Sequence, residues 1–341
     1  MMRIFHSQRL RDLRHSMGMT QKEFAQCLNC TQSSLSDAEN GRKENDALVQ
    51  KAIFAFKVPS SYFEASPSRY GSGDLNFRTY KIPAKVQDAF SATFYEAERS
   101  LLAEPTGVKT IDLAHDGLTD RTSPLLLSDI ETAAIQTREK LGISFSGPVF
   151  NVSRAIEKAG HRVCTITNDF IDISKIDGAS SPVLSSNGRG LIATTTKQDG
   201  GRVRLTRAHE LGHLVLHTSI RPGIEKVRET EANLFAGAFL IPEGDAHSMF
   251  SEHLTLEGYA RIKAQYAVSI AALIVRAHRL GIVSAKRYRS LFIQLSSRGW
   301  RTEEPVEIPV ERANSFSALP KRKETAATEE SSVISVNFRR P

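Results

Sequence analysis

His209-Glu210-Leu211-Gly212-His213 is the segment of this sequence with the clearest capacity for chemistry. Histidines four apart on a helix project from one face and can grip one metal ion. Glu210 lies one residue round, where its carboxylate can take a proton from water at that ion. The segment thus offers two ligands and a general base. Ala208, Leu211, Leu214, Val215 and Leu216 flank it, so the helix is expected to be buried, and a dry site strengthens the field around developing charge. A buried helix whose histidines bond only to backbone would look similar, so the rest of the site has to be found.

A carboxylate is one common third ligand for zinc. Arg228-Glu-Thr-Glu-Ala-Asn-Leu-Phe-Ala236 offers Glu229 and Glu231, which point about 200° apart on a helix, so at most one faces the histidines. Glu229 is preferred because Asn233 follows one turn later on its own face, in position to orient a ligand histidine; Glu231 stays the rival. His217 lies four residues past His213. As a continuous helical set the three histidines would spread over about 12 Å, too far for one tetrahedral ion, so His217 is expected behind the ligands or on the substrate side.

The elements that must position these residues follow from pattern. Residues 85–160 read as mainly helical, as in Ser128–Leu141 with its serine cap and Gly142 stop. The period then changes. Arg162–Thr167 and Gly190–Thr196 are rich in β-branched residues, with turns at Asp177-Gly178, Asn187-Gly188 and Gly200-Gly201. A small antiparallel sheet is expected there, then helices over about 204–218, 226–240 and 255–280. Fold class is therefore α+β, mainly α.

The 341 residues suggest two or three domains. A net charge of +7 suits a nucleic-acid partner without requiring one. Three cysteines, two of them as Cys27-x-x-Cys30, make neither a disulfide framework nor a zinc knuckle. No apolar run is long enough to cross a membrane, so no membrane partner is expected and a cytoplasmic location is.

The N-terminal residues carry a second pattern. Leu10, Leu13 and Met17 share one helix face, and Thr20-Gln-Lys-Glu23 is a capping box opening a second helix. Asn29-Cys30 turns the chain, Thr31 caps a third helix from Gln32 to Asn40, and Gly41 stops it. Two short helices at such a turn are the helix-turn-helix arrangement, whose second helix enters the major groove.

Met19-Thr-Gln-Lys-Glu-Phe-Ala-Gln, Thr31-Gln-Ser-Ser-Leu-Ser and Glu39-Asn-Gly-Arg42 resemble the phage-repressor (XRE or Cro-like) family over about sixty residues. That resemblance implies a five-helix reader of double-stranded operator DNA, commonly a homodimer. Gln32, Ser33 and Ser36 would face base edges, with Arg42 and Lys43 near phosphates. Asp37 departs from the family, since an acid there is repelled by phosphates unless it accepts from a cytosine amine. Up to residue 65 nine lysines and arginines stand against seven acids, a mild excess. A module turned to holding a protein partner is the alternative.

Leu205–His217 and Glu229–Pro242 resemble the ImmA/IrrE family of metallo-endopeptidases, with weaker support from Leu75-Asn-Phe-Arg78, Asp177-Gly178 and Gly299–Pro305. The resemblance implies a zincin-like domain of the gluzincin type, a Zn2+ cofactor, and a repressor or antitoxin protein as substrate on a mobile element or in a stress response. A regulator, or the antitoxin-like half of a toxin–antitoxin pair, whose zinc domain is structural or sensory is the alternative. The expected division is 1–66 reader, 67–84 linker, 85–310 peptidase-like domain and 311–341 disordered tail.

Overall fold

The computed structural model describes residues 4–70, 75, 82–103, 109–115, 123–195, 199–217, 225–313 and 333–335. Their contacts divide the chain into two compact units: residues 1–100, 165–176 and 333–341, and residues 101–164 with 177–332. The protein is mainly helical with a small sheet.

The first unit begins with α1 (Arg9–Ser16), α2 (Gln21–Cys27), α3 (Gln32–Glu39), α4 (Asp46–Phe56) and α5 (Ser60–Glu64). The Thr20–Glu23 capping box forms in full, and the Thr31 hydroxyl accepts from the Ser34 amide at the head of α3. Between those helices Asn29 adopts a left-handed conformation with φ 46°, which Asn tolerates better than most residues. Leu10, Leu13, Phe24, Leu35, Val49, Phe56 and Phe63 are fully buried around Phe24 stacked on Phe56.

A sixth helix, α6 (Ala84–Ala103), follows the linker and supplies most of its length to this same unit, not to the second. Arg9, fully buried, is the reason. Its guanidinium lies 3.9 Å over the Tyr62 ring and pairs with Asp12 on its own helix and Glu96 on α6. A buried cation needs such partners, and among the described residues it is α6 that brings the second carboxylate. The start of the linker is tied down too: the Ser68 amide donates to Asp12 and the Tyr70 hydroxyl to Glu98. Its residues 71–74 and 76–81 lie outside the described residues.

The second unit holds α7 (Leu127–Lys140), α8 (Val152–Lys158), most of the sheet, α9 (Gly200–Leu216), α10 (Glu225–Leu240), α11 (Glu243–Met249), α12 (Leu256–Tyr266), α13 (Ile270–Arg279) and α14 (Ala285–Ser297). The strands are β1 (Arg162–Thr167), β2 (Gly178–Ser180), β3 (Leu191–Thr195) and β4 (Val333–Ser335), in the order β2-β3-β1-β4. β2 and β3 are antiparallel, whereas β4 runs parallel to the last three residues of β1 within the first unit. The sheet is thus mixed, not the purely antiparallel one expected: β4 comes from far along the chain, and its short Val-Ile-Ser run stands within the stretch read as a tail. The helix expected over 255–280 is two, because Ala267 turns left-handed at φ 52° and Ser269 caps α13 afresh.

The end of the chain is partly built in. Glu304 accepts from the amides of Ile270 and Ala271 at the head of α13 and pairs with Lys263. Glu311 accepts from the amides of Val152 and Ser153 at the head of α8 and pairs with Arg204 of α9, a side chain only 3% exposed. The Glu311 carbonyl also accepts from Arg207. The tail therefore does not begin at 311 as expected: Glu311 and Ala313 are buried and 333–335 form a strand, while 314–332 and 336–341 lie outside the described residues.

Candidate metal centre and candidate nucleic-acid interface

α9 packs against α8, α10, β2 and β3, with fifteen of its residues buried. The approach of α10 is close because residue 212 is glycine. A Cβ there would meet Phe235 at 3.0 Å and the Ala232 backbone at 3.3 Å, tighter than real contacts allow without a shift. That approach sets Glu229, one turn before Ala232, opposite His209 and His213.

The geometry that results is compact. His209 Nε2 and His213 Nε2 lie 3.2 Å apart, and the two Glu229 oxygens lie 3.3 Å and 3.1 Å from them respectively. Metal–donor bonds of about 2.0 Å in a tetrahedron place ligand atoms about 3.3 Å from one another, so the three residues already stand at the spacing one ion requires. Neither carboxylate oxygen sits in good hydrogen-bond geometry although both are buried, and His209 Nδ1 has no partner either. A divalent cation at the centre would meet both carboxylate oxygens and the two Nε2 atoms at once; His209 Nδ1 lies on the far side of its ring, out of that ion's reach. Burial alone would push the Glu229 carboxyl up, but the facing His209 and His213 outweigh it and hold it well below the usual range. Among the described residues this is the group of His, Cys, Asp and Glu whose donor atoms converge within 4.8 Å.

Glu210 is 5% exposed, and its Oε2 accepts from the Ser180 hydroxyl of β2 at 2.8 Å. β2 lies at the edge of the sheet beside α9. The base candidate is thereby held by a strand of three residues whose Gly178 read as a turn; nothing in the spacing pointed to Ser180.

His217 leaves the helical stripe. α9 ends at Leu216, and His217 closes it with its amide on the His213 carbonyl. Its ring turns back: Nδ1 lies 2.9 Å from His213 Nδ1, and Nε2 lies 2.8 Å from Glu231 Oε2. Burial lowers the His217 pKa to about 4 against the pull of Glu231. Glu231 therefore faces His217, not the converging trio, and Glu229 takes the place between the ligand candidates. Asn233 is placed differently from expectation. Its Nδ2 donates to the Glu229 carbonyl at 2.7 Å, and the far nitrogens of His209 and His213 do not use it. An i+4 amide on a helix reaches its own backbone more easily than a neighbouring ring.

On the first unit, α3 presents Gln32 and Ser33 exposed and Ser36 half-buried, followed by exposed Arg42 and Lys43. Asn40 donates to the Ser36 hydroxyl, and Arg42 lies 3.6 Å from Asp37, with both side chains largely exposed. Asp37 thus has a cation beside it, which softens the repulsion expected of an acid at that position. Behind the helix, Glu39 is buried and takes both Arg14 and Gln21.

Residues 157–278 match the family model of the IrrE N-terminal-like domain, a peptidase family, and α9, α10 and the strands β1, β2 and β3 fall inside that match. No curated protein matches the chain. A solved structure of a Mycobacterium tuberculosis transcriptional regulator aligns at 18% identity and a TM-score of 0.31. The alignment covers 44% of this chain and 46% of that one, under half of either. No helix among the described residues is long and apolar enough to cross a membrane.

Proposed function

We propose that the chain is a zinc-dependent endopeptidase joined to a DNA reader, and that it controls an operon by cutting a repressor protein. The convergence of His209, His213 and Glu229 beside Glu210 carries this reading. Two imidazoles and one carboxylate are a donor set zinc favours, with a fourth position left for water or substrate. An ion held there supplies Lewis acidity to a peptide carbonyl and makes nearby water easier to deprotonate. Glu210 receives the water's proton at its carboxylate and returns it to the departing amine. Ser180 holds that carboxylate in place, and the edge strand β2 offers backbone groups on which an extended peptide could lie.

For the first unit, double-stranded DNA is the proposed partner. It is supported by the exposed polar face of α3 and by Arg42 and Lys43 at its end, with dimeric binding to a palindrome as the expected form. A second reading, a regulator whose zinc is structural or sensory, is favoured by one observation: Glu210 is buried and already occupied by Ser180, so substrate would have to displace that contact.

The deciding experiment is zinc analysis of protein purified without chelators, followed by incubation with a helix-turn-helix repressor from the same operon. About one zinc per chain, lost in Glu229→Gln, with cleavage that Glu210→Gln abolishes, establishes the peptidase. Zinc without cleavage leaves the second reading, and no zinc removes both.

A further inference from the structure

The two ligand-candidate histidines are supported differently. His209 has nothing on its far nitrogen, whereas His213 heads a chain of three buried groups: His213 Nδ1, His217 Nδ1 and Nε2, then Glu231. Glu231 uses its other oxygen to accept from the Leu125 amide at 2.8 Å, just before α7. Both His217 and Glu231 are 3% exposed.

A neutral imidazole carries one N–H and one lone pair. For His213 to offer its Nε2 lone pair to a metal, its proton must sit on Nδ1. That proton points at His217 Nδ1, which must then be an acceptor, so the His217 proton sits on Nε2. Only an acceptor beyond Nε2 keeps that order, and Glu231 Oε2 is the acceptor present. The Leu125 amide demands an acceptor as well, so residue 231 must supply two oxygens at once.

Resting on the reading of His209, His213 and Glu229 as a zinc site, we infer that Glu231 is a positioning residue which, through His217, fixes the tautomer of His213 and so sets the metal affinity of the centre. Glutamine at 231 offers one oxygen and one NH2. With NH2 toward His217, Nε2 must accept and every proton in the chain moves one place, which puts a hydrogen on His213 Nε2. With NH2 toward Leu125, two donors face each other in a buried place, a costly arrangement. Either way a change of one atom type, with no change of shape, reaches the metal position.

The test is zinc competition against a chromophoric chelator on the purified full chain, for wild type, Glu231→Gln, Glu231→Asp, His217→Ala and the Glu231→Gln/His217→Ala double variant. Groups that orient a ligand histidine are worth ten- to a hundredfold in metal affinity. A weakening of that size is expected for Glu231→Gln and for His217→Ala, with partial recovery in Glu231→Asp, which keeps both oxygens. The double variant should be no weaker than His217→Ala alone, because the two residues act in series. Cobalt(II) absorption of Glu231→Gln should shift as well, a signature that loss of stability alone would not produce. Affinity within twofold of wild type in Glu231→Gln overturns the inference. If that variant does not fold, wild-type affinity in His217→Ala overturns it instead. A wild type that takes up no zinc removes the underlying metal-site reading, which the same titration shows separately.

Discussion

Helix α3 of the first unit and helix α9 of the second both display polar side chains at helical spacing, yet they hold them in opposite ways. On α3, Gln32, Ser33 and the neighbouring Arg42 stand in solvent, with Gln32 loosely attached to Gln21 and Arg42 to Asp37. On α9, His209, Glu210, His213 and the following His217 are all under 8% exposed, and each is met by a residue from another element or by the next histidine. Exposed groups can change partners when a nucleic acid arrives, at little cost. Buried groups cannot, so their donors and acceptors must already agree, and a single wrong atom carries across the network.

Substitutions sharpen that contrast, the largest effect first. Glu210→Gln should reduce cleavage of a repressor substrate by about a thousandfold or more while zinc content stays near one per chain; residual cleavage within tenfold of wild type would show that the base lies elsewhere. Glu311→Ala leaves Arg204 buried without its carboxylate, and denaturant unfolding should record a loss of about 3–5 kcal/mol. A loss below 1 kcal/mol would mean that water reaches the guanidinium. On the exposed side, Arg42→Ala and Lys43→Ala should each weaken operator binding modestly and evenly across sequences, lowering the slope of affinity against salt by about 1. If either instead alters sequence preference, that residue reads bases. The smallest change is Thr20→Ala, which removes one cap and should cost about 1 kcal/mol in thermal unfolding; no change would place the stability of α2 in its packing alone.

Local rules made much of this legible in advance. The capping box at Thr20–Glu23 and the helix around His209 follow from spacing along one element, and the structure has both; Glu229 stands beside His209 and His213, but not through the Asn233 contact on which its preference rested. What stayed hidden depends on partners distant in the chain. Ser180 on a three-residue strand, Glu231 reaching His217 and Leu125, and Glu311 meeting two arginines have no periodicity to betray them. Asn233 shows the converse: an attractive local spacing whose amide turned to its own helix. The placement of α6 is of the same kind, since buried Arg9 needs Glu96 and no pattern within either helix announces it.

Glu311 also bears on the order in which the protein can be made. Arg204 and Arg207 lie on the helix that carries the metal-site histidines, but the chain that answers them arrives more than a hundred residues later. During synthesis from the N-terminus the helix can form early, with Val149, Phe150, Ser153 and Thr194 already there to accept from these arginines, yet burying the Arg204 cation without a carboxylate is unfavourable. Final docking of that helix therefore waits until nearly the whole second unit has left the ribosome. A chain cut short before residue 311, by a premature stop or a protease, would keep every ligand residue and still lack the means to seat them.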